Sequence, residues 1–391
     1  AEARARIANI AETFGLPVNP DARVADLSVG ERQRVEIIKA LYRKARILIL
    51  DEPTAVLARP EAEQLFRTLR GMTEGGLSII FISHKLHEVM SASDRVVVLR
   101  GGKVVAERKT SATTPSELAE LMVGRQVTRP RRAAHTTGKP VIVAQGLTVD
   151  EAGKRGLDAV DFQVCEGEIL GIVGVSGNGQ AVLGRVLSGL ARPSSGRLTF
   201  QDSDISRLTP RDLIRLGLGR VPEDRHAEGA VGELAVWENA VLERLKDPAF
   251  SRRGFVRRAA ARAHAAELIA RFDIRGATPE TRTRLLSGGN MQKLILGRNL
   301  AAAPRFLLAN QPTRGLDEGA IAAVHAELLA AREAGAAILL ISEDLEEASA
   351  LSDRIQAIVK GRLSQPIASE AADARTLGLM MAGVWGAQDA V

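Results

Sequence analysis

Two acidic residues and a histidine follow apolar runs in this sequence, in an arrangement that could act on a phosphate group. Asp51 and Glu52 come directly after the apolar run 47–50, and His84 follows the run 77–82 after one serine. The carboxyl ends of neighbouring parallel strands are where such a sheet presents catalytic groups. Carboxylates and a histidine there suit Mg²⁺ binding, activation of water and contact with a γ-phosphate. The structural alternative is that Asp51 and Glu52 only cap a helix.

A glycine-rich stretch in the second half predicts a loop that could hold phosphate. It lies between the apolar run 168–173 and a helical pattern over 182–190, a setting in which backbone amides converge on phosphate oxygens. The G-x-x-x-x-G spacing is that of a nucleotide-hydrolysing loop, but Gln180 replaces its lysine and Ala181 its metal-binding hydroxyl. A tight structural turn is the alternative. The candidate loop residues are Gly174, Ser176, Gly177, Asn178, Gly179, Gln180 and Ala181.

The elements that must position these residues occur twice. The segment 27–30 recurs at 286–289, and matches at Pro53-Thr54, Ile82-Ser83 and Ser93-Asp94-Arg95 keep the same offset of 259 residues (286 − 27). Such self-similarity indicates two copies of one domain. Each copy places L-S-x-G before a long helix, predicted over 31–44 and 290–303, and then an apolar segment predicted as a buried strand.

The two copies differ in extent, which sets the expected domain boundaries. The second copy begins near Lys139, whereas the first has 26 residues ahead of Leu27. Either the first domain is truncated or it never had the preceding segment, and we favour truncation. We predict the C-terminal part of a first domain at 1–124, a linker at 125–138 and a second domain at 139–391. The proline- and arginine-rich linker is expected to be solvated.

Composition excludes several classes of protein. The 391 residues hold a single cysteine, so a disulfide framework or a multi-cysteine metal site is ruled out. No apolar run approaches the roughly 18 residues of a membrane span. The net charge of +6 permits acidic partners without selecting one.

The motifs together resemble those of ATP-binding-cassette ATPases. LSVGERQ and LSGGNMQ are similar to the family signature, ILILDEPT to its Walker B strand, and FISHKL to its switch histidine. Two cassettes in one chain, with VPEDRHAEG, NQPTRGLD and ISEDLEE in the second, resemble the fused ATPase subunit of simple-sugar and nucleoside importers, nucleoside-type branch.

The resemblance implies an α/β fold, a P-loop NTPase-type, mostly parallel sheet with a helical subdomain. It also implies two cassettes in tandem, the first incomplete. ATP and Mg²⁺ are the implied cofactors. The implied partners are integral-membrane permease subunits and a solute-binding protein, with no nucleic acid expected. The implied location is peripheral, on the cytoplasmic face of the plasma membrane.

The resemblance also implies two composite sites that differ in chemistry. In the first, Asp51 would bind Mg²⁺, Glu52 would activate water and His84 would contact the γ-phosphate, facing Ser287, Gly288, Gly289 and Gln292 of the other cassette. The P-loop of this first site is expected to be missing from the chain. The second would combine the glycine loop and Glu223 with Ser28, Gly30 and Gln33. Its Walker B and switch positions are Asn310, Gln311 and Glu343, so we expect no hydrolysis there and at most weak nucleotide binding.

Two other functions stay open from the sequence. The chain could be a non-hydrolytic nucleotide-binding or regulatory fragment, or a soluble cassette ATPase acting on ribosomes or nucleic acid. Trp237 is expected either in the family's helical subdomain or as plain core. His226 has both a functional and a structural interpretation, while His264 and His325 are expected on polar helical stretches.

Overall fold

Two units make up the structure, a computed structural model that describes residues 2–27, 29–54, 59–124, 130–151 and 154–385. The first unit is Ala1–Val127 and the second is Thr128–Val391. Each unit is described by itself below. Among the described helices, none combines the length and apolar character that crossing a bilayer requires.

The first unit places a small parallel strand pair beside a helical layer. Its helices are α1 Glu2–Thr13, α2 Val29–Tyr42, α3 Arg59–Glu74, α4 Leu86–Ala92 and α5 Pro115–Val123. Its strands are β1 Ile47–Asp51, β2 Ser78–Ile82, β3 Arg95–Arg100 and β4 Lys103–Lys109. β1 and β2 pair in parallel, and β3 and β4 form an antiparallel hairpin.

The second unit contains the larger sheets. Its strands are β5 Pro140–Glu151, β6 Lys154–Cys165, β7 Ile169–Val173, β8 Ser195–Phe200, β9 Ser203–Asp204, β10 Leu218–Val221, β11 Ser251–Arg252, β12 Phe255–Val256, β13 Phe306–Asn310, β14 Ala337–Ser342, β15 Arg354–Val359, β16 Arg362–Leu363 and β17 Ile367–Ala368. Its helices are α6 Gln180–Leu187, α7 Pro210–Leu216, α8 Val236–Val241, α9 Arg258–Arg271, α10 Gly288–Leu300, α11 Glu318–Glu333, α12 Leu345–Leu351 and α13 Ala374–Met381.

The central sheet of the second unit is mostly parallel, as predicted. Its order is β10-β13-β14-β7-β15-β16, with β17 on the side of β15, and the neighbours from β10 to β15 run parallel. Successive residues of β13 and β14 enter two different core clusters, one on each face of the sheet. Strands covered on both faces carry continuous apolar runs, which explains the Phe306–Asn310 and Ala337–Ser342 sequences.

In the first unit the prediction of fully buried strands is wrong. β1 and β2 form where predicted, but Ile47, Ile49, Ile80 and Ile82 are 51–66 % exposed. The alternate residues, such as Leu48, pack against the helical layer. In the second unit the residues 259 positions later are at most 2 % exposed because α6 and other elements cover that face. The described part of the first unit has no such cover.

Predicted helix positions need small corrections. The long helices begin at Val29 and Gly288, two residues before the predicted starts, because the chain turns helical within L-S-x-G itself. Ser287 is the N-cap of α10, with its hydroxyl accepting from the Asn290 amide. The helix after the glycine loop spans Gln180–Leu187 rather than 182–190.

Most of the described segment 130–138 is exposed, as predicted for the linker, but Arg132 is only partly exposed. Arg132 donates to Asp353 at 2.9 Å and pairs with Glu370, leaving its side chain 18 % exposed. Arg332, fully buried, donates to the same Asp353 at 2.6 and 2.8 Å and to the Ala133 carbonyl. The partly buried Asp353 carboxylate thus holds this one arginine against the rest of the second unit.

Candidate functional site

The acid pair of the first unit sits at a strand end, as predicted. Asp51 is the last residue of β1 and is exposed. Glu52 turns into the left-handed region with φ of +43°, while its amide donates to the Ile82 carbonyl at 2.9 Å. Left-handed backbone at a non-glycine residue is unfavourable and is concentrated at functional sites. The turn exposes the Glu52 side chain at the carboxyl edge of β1 and β2.

His84 contacts this pair directly. Its Nδ1 lies 3.1 Å from Glu52 Oε1, and its side chain is one-fifth exposed. A carboxylate and an imidazole in hydrogen-bonding contact can exchange or share a proton and can position a water between them and a substrate. The structure thus brings Glu52, which follows β1, into contact with His84, which follows β2. Asp51, the third predicted residue, precedes Glu52 in the chain.

A buried carboxylate under this edge was missed by sequence reasoning. Glu88 on α4 is 2 % exposed and accepts from the Thr54 hydroxyl at 2.6 Å and the Ser83 hydroxyl at 3.0 Å. Lys85 lies 3.3 Å from the same carboxylate and donates to the Thr54 carbonyl at 3.1 Å. Glu88 therefore ties the turn after Glu52 to the turn that carries His84.

The second unit repeats this frame with different chemistry. Gln311 adopts the same left-handed turn, with φ of +49°, and its amide donates to the Ile341 carbonyl at 2.8 Å. Asn310 ends β13 and is buried, and its Oδ1 has no hydrogen-bond partner. The Glu343 amide donates to Gln311 Oε1 at 3.4 Å. An amide pair and a carboxylate thus replace the two acids and the histidine.

His325 corrects a sequence prediction. It is expected on a polar helical stretch, yet it is 1 % exposed and its Nε2 lies 3.1 Å from the buried Glu347. Glu347 also accepts from the Thr313 and Ser342 hydroxyls at 2.7 and 2.6 Å, as Glu88 does from Thr54 and Ser83. The 259-residue offset could have revealed this carboxylate, since Glu88 and Glu347 obey it.

The signature residues lie at the starts of α2 and α10. Gln33 donates to the Pro53 carbonyl, and its Oε1 is buried without a hydrogen-bond partner, while Gly30 lies in the first turn. Ser28 lies outside the described residues. In the second unit Gln292 is 3 % exposed. A Cβ on Gly288 would meet Arg225 at 2.8 Å, and one on Gly289 would meet Ala320 at 3.2 Å, so both glycines permit close packing.

The glycine loop occupies the predicted position between β7 and α6. Gly177 and Gly179 have φ of +86° and +116°, conformations that only glycine adopts at low cost. Gly174 and Ser176 begin the loop, and Gln180 and Ala181 start the helix. The Asn178 side chain turns inward and donates to the Val175 carbonyl at 2.8 Å. This is the shape of a phosphate-binding loop without its lysine.

Glu223 and its neighbours are tied to the turn after Gln311. Glu223 pairs with Arg314, and Arg225 donates to the Arg314 carbonyl at 2.7 Å. His226 lies in the following turn of π-helix, Arg225–Gly229. Trp237, on α8, packs partly buried against the main core with the Arg262 guanidinium 5.3 Å from its ring. Trp237 therefore has a core role here.

No metal cage is preformed in the described residues, since no three His, Cys, Asp or Glu side chains cluster as ligands. Mg²⁺ in nucleotide enzymes keeps several waters and uses one or two carboxylates plus substrate phosphates. The exposed Asp51 fits that mode, whereas Asn310 offers a neutral, buried amide in its place.

Comparison with known proteins supports one family. The ABC transporter family model matches residues 2–55 and 157–314. The chain is 44 % identical to the glucose import ATP-binding protein TsgD13 of Haloferax volcanii, over 97 % of this chain and 70 % of that protein. It is 41 % identical to the nucleoside import ATP-binding protein NupA of Lactococcus lactis, over 97 % of this chain and 76 % of that protein.

Solved structures agree at the level of the fold. A nucleotide-free ATP-binding cassette from an ABC transporter superposes with a TM-score of 0.52 at 19 % identity, covering 62 % of this chain and 95 % of that one. A dimeric ATP-binding cassette bound to ADP and phosphate gives 0.51 at 22 % identity, covering 58 % and 98 %. With its repeated signature, strand-end acids and glycine loop, the chain belongs to the ABC transporter family of ATP-binding ATPase subunits.

Proposed function

We propose that this chain hydrolyses ATP to energise import of a nucleoside or a simple sugar through a membrane permease. Within it, we assign hydrolysis to the acid pair of the first unit and a non-hydrolytic role to the corresponding frame of the second. The observation that carries the assignment is the contact between Glu52 and His84, beside Asp51. At the matched positions of the second unit the residues are Gln311, Glu343 and Asn310.

The residues of the first unit divide the chemistry of hydrolysis among them. Glu52 accepts a proton from the attacking water, which frees the oxygen to bond to the γ-phosphorus as the bond to ADP breaks. His84 holds the Glu52 carboxylate in place through its Nδ1 and contacts the γ-phosphate. Asp51 holds Mg²⁺, which when bound neutralises charge developing on the phosphate oxygens.

The second frame lacks each of these functions. Gln311 and Asn310 carry no negative charge, so neither takes a proton from water nor binds Mg²⁺ strongly. Glu343 presents a carboxylate at the position where the first unit has an imidazole. The negative charge of this carboxylate repels a triphosphate. Loss of a positioned general base alone lowers a rate by about 10²- to 10⁴-fold.

The names of the relatives support the transport part of the proposal. TsgD13 is a glucose import protein, NupA a nucleoside import protein, and NupO of Bacillus subtilis, 42 % identical over 96 % of this chain, a guanosine import protein. We infer that permease subunits and a solute-binding protein are the partners, and that the chain works peripherally at the cytoplasmic face of the membrane.

Uptake into vesicles tests this function. The chain is assembled with its permease subunits in proteoliposomes, and ATP-dependent accumulation of labelled nucleosides and simple sugars is measured in the presence of the solute-binding protein. We expect accumulation of one of these classes, lost in Glu52→Gln. Turnover stimulated by ribosomes or nucleic acid and not by the permease would contradict the proposal, as would ATP binding with no turnover in the assembled complex.

A further inference from the structure

The glycine loop of the second unit is filled from within by one of its own side chains. Gln180 Nε2 donates to the Val175 carbonyl at 2.9 Å, and Gln180 Oε1 accepts from the Asn178 amide at 3.0 Å. The side chain is only 7 % exposed. The partners fix which end of the Gln180 amide is which, because a carbonyl only accepts and a backbone N–H only donates.

One of these two bonds uses a backbone N–H group that a phosphate would need. A phosphate-binding loop works through backbone N–H groups that point at phosphate oxygens. Here the Asn178 N–H already points at the Gln180 oxygen, which therefore takes the place of a phosphate oxygen. The other end of the same side chain makes a donor contact inside the loop, where a lysine would instead extend toward the nucleotide.

The surrounding residues are shaped to this closed loop. A Cβ on Gly174 would lie 2.6 Å from the Ile358 carbonyl oxygen and 2.9 Å from Gln180 Nε2, so glycine at this position makes room both for β15 and for the glutamine side chain. Asn178 Oδ1 accepts from the Lys360 amide at 2.8 Å, and the Asn178 carbonyl accepts from the Gly361 amide at 2.8 Å. The loop is thus held on one side by Gln180 and on the other by the turn after β15.

We propose that Gln180 is an internal ligand that closes the glycine loop of the second unit, so that this loop is a structural element and does not take nucleotide phosphate. The inference deepens the proposed non-hydrolytic role and rests on it for its meaning in transport. It differs from simple loss of catalytic groups, because a loop that lacks only its lysine would still offer its amides to phosphate.

Backbone hydrogen exchange tests the closed loop without any substitution. In the wild-type chain, alone and assembled with its permease, the Asn178 amide should be protected, and millimolar Mg·ATP should not change exchange in the peptide 174–181. In Gln180→Ala, exchange at Asn178 should rise by about fivefold or more, the factor that one ordinary hydrogen bond supplies.

Two further variants distinguish the effect of the Gln180 side chain from the effect of the missing metal-binding hydroxyl at position 181. Gln180→Lys removes the internal acceptor and restores the lysine, so Mg·ATP should now protect 174–181. Ala181→Ser restores the hydroxyl but leaves Gln180 in place, so Mg·ATP should have no effect. The inference is overturned if Mg·ATP protects this peptide in the wild-type chain as strongly as in Gln180→Lys, or if Asn178 exchanges equally fast in wild type and Gln180→Ala.

ATP turnover, measured in parallel, keeps the two proposals apart. If Mg·ATP binds the wild-type loop and Glu52→Gln loses turnover, only the proposal for Gln180 is overturned. Turnover that persists in Glu52→Gln would instead overturn the proposed function, whatever the exchange pattern of the loop.

Discussion

Glu52 and Gln311 occupy the same turn in the two units and differ only in the chemistry of their side chains. Both residues have positive φ, and both amides donate to the last apolar residue of the neighbouring strand. The strained backbone therefore belongs to the turn itself, and reactivity depends on whether the side chain ends in a carboxylate or an amide. In the function proposed above, this one difference separates a general base from a neutral group.

Glu88 and Glu347 are expected to be the most sensitive residues near these turns. Replacing either by alanine removes a buried acceptor shared by two hydroxyls, so we predict a loss of about 2–5 kcal/mol in the free energy of unfolding. Glu36→Ala is the control, since its pair with Lys39 is exposed and should contribute under about 1 kcal/mol. Urea unfolding measures all three variants, and equal losses would refute the assignment.

Sequence reasoning located the candidate catalytic residues but not the residues that support them. The strand-end positions of Asp51, Glu52 and His84 follow from apolar runs and from the repeat, which are local signals. The burial of His325 does not, because its partner Glu347 lies 22 residues away on another helix. A histidine within a polar pattern looks like surface until that partner is placed.

At the scale of elements, one aspartate joins the linker to the second unit. Burial opposes ionisation of Asp353, yet hydrogen bonds from Arg332, the Ile169 amide and Arg132 outweigh it and hold its pKa below the usual value. The linker is mostly exposed, as predicted, but Arg132 is held in place. Composition reports solvation on average and cannot show such a specific ion-pair partner.

Asp353 should therefore contribute an acid-dependent part of the stability. The folded state holds the carboxyl deprotonated at pH values where the unfolded chain has begun to bind a proton, so stability rises with pH in that window. The contribution is complete above a pH of about 4 and is lost as the pH falls through the lowered pKa. Urea midpoints should fall less steeply with acidification in Asp353→Asn than in wild type, with Arg132→Gln between them.

The absolute cost of the Asp353 substitution provides a second check. Asp353→Asn leaves the fully buried Arg332 without its carboxylate, which should cost about 3–5 kcal/mol at neutral pH. Two results together would show that Asp353 and its arginines do not anchor the linker. They are a loss of free energy of unfolding at neutral pH below that of an exposed ion pair, and urea midpoints that depend on pH as in wild type.

The exposed apolar face of β1 and β2 is the second feature at this scale. Contiguous exposed apolar surface of this kind marks a site of association. We predict that Ile49→Lys and Ile80→Lys lower dye binding to apolar surface and reduce self-association, with less than about 1 kcal/mol of lost stability. Leu48→Ala, on the packed face, should instead cost about 2–5 kcal/mol. Retained association in both lysine variants would contradict this role.

At the scale of the whole molecule, the two units share a frame but not a chemistry. The repeat, the parallel sheet of the second unit and the family could be predicted from the sequence, because apolar periodicity and motif spacing persist over long segments. The state of the second unit's glycine loop could not, since the inward rotamer of Gln180 depends on the shape that Gly174 and Asn178 give the loop.

We have proposed that the general base for ATP hydrolysis lies in the first unit alone. The most direct test compares matched variants, Glu52→Gln and Gln311→Ala, in the chain assembled with its permease, by steady-state ATP turnover at saturating Mg·ATP. We predict that Glu52→Gln lowers kcat by about 10²- to 10⁴-fold, while Gln311→Ala changes it by less than about twofold. Similar losses in both variants, or full turnover in Glu52→Gln, would contradict this division between the two units.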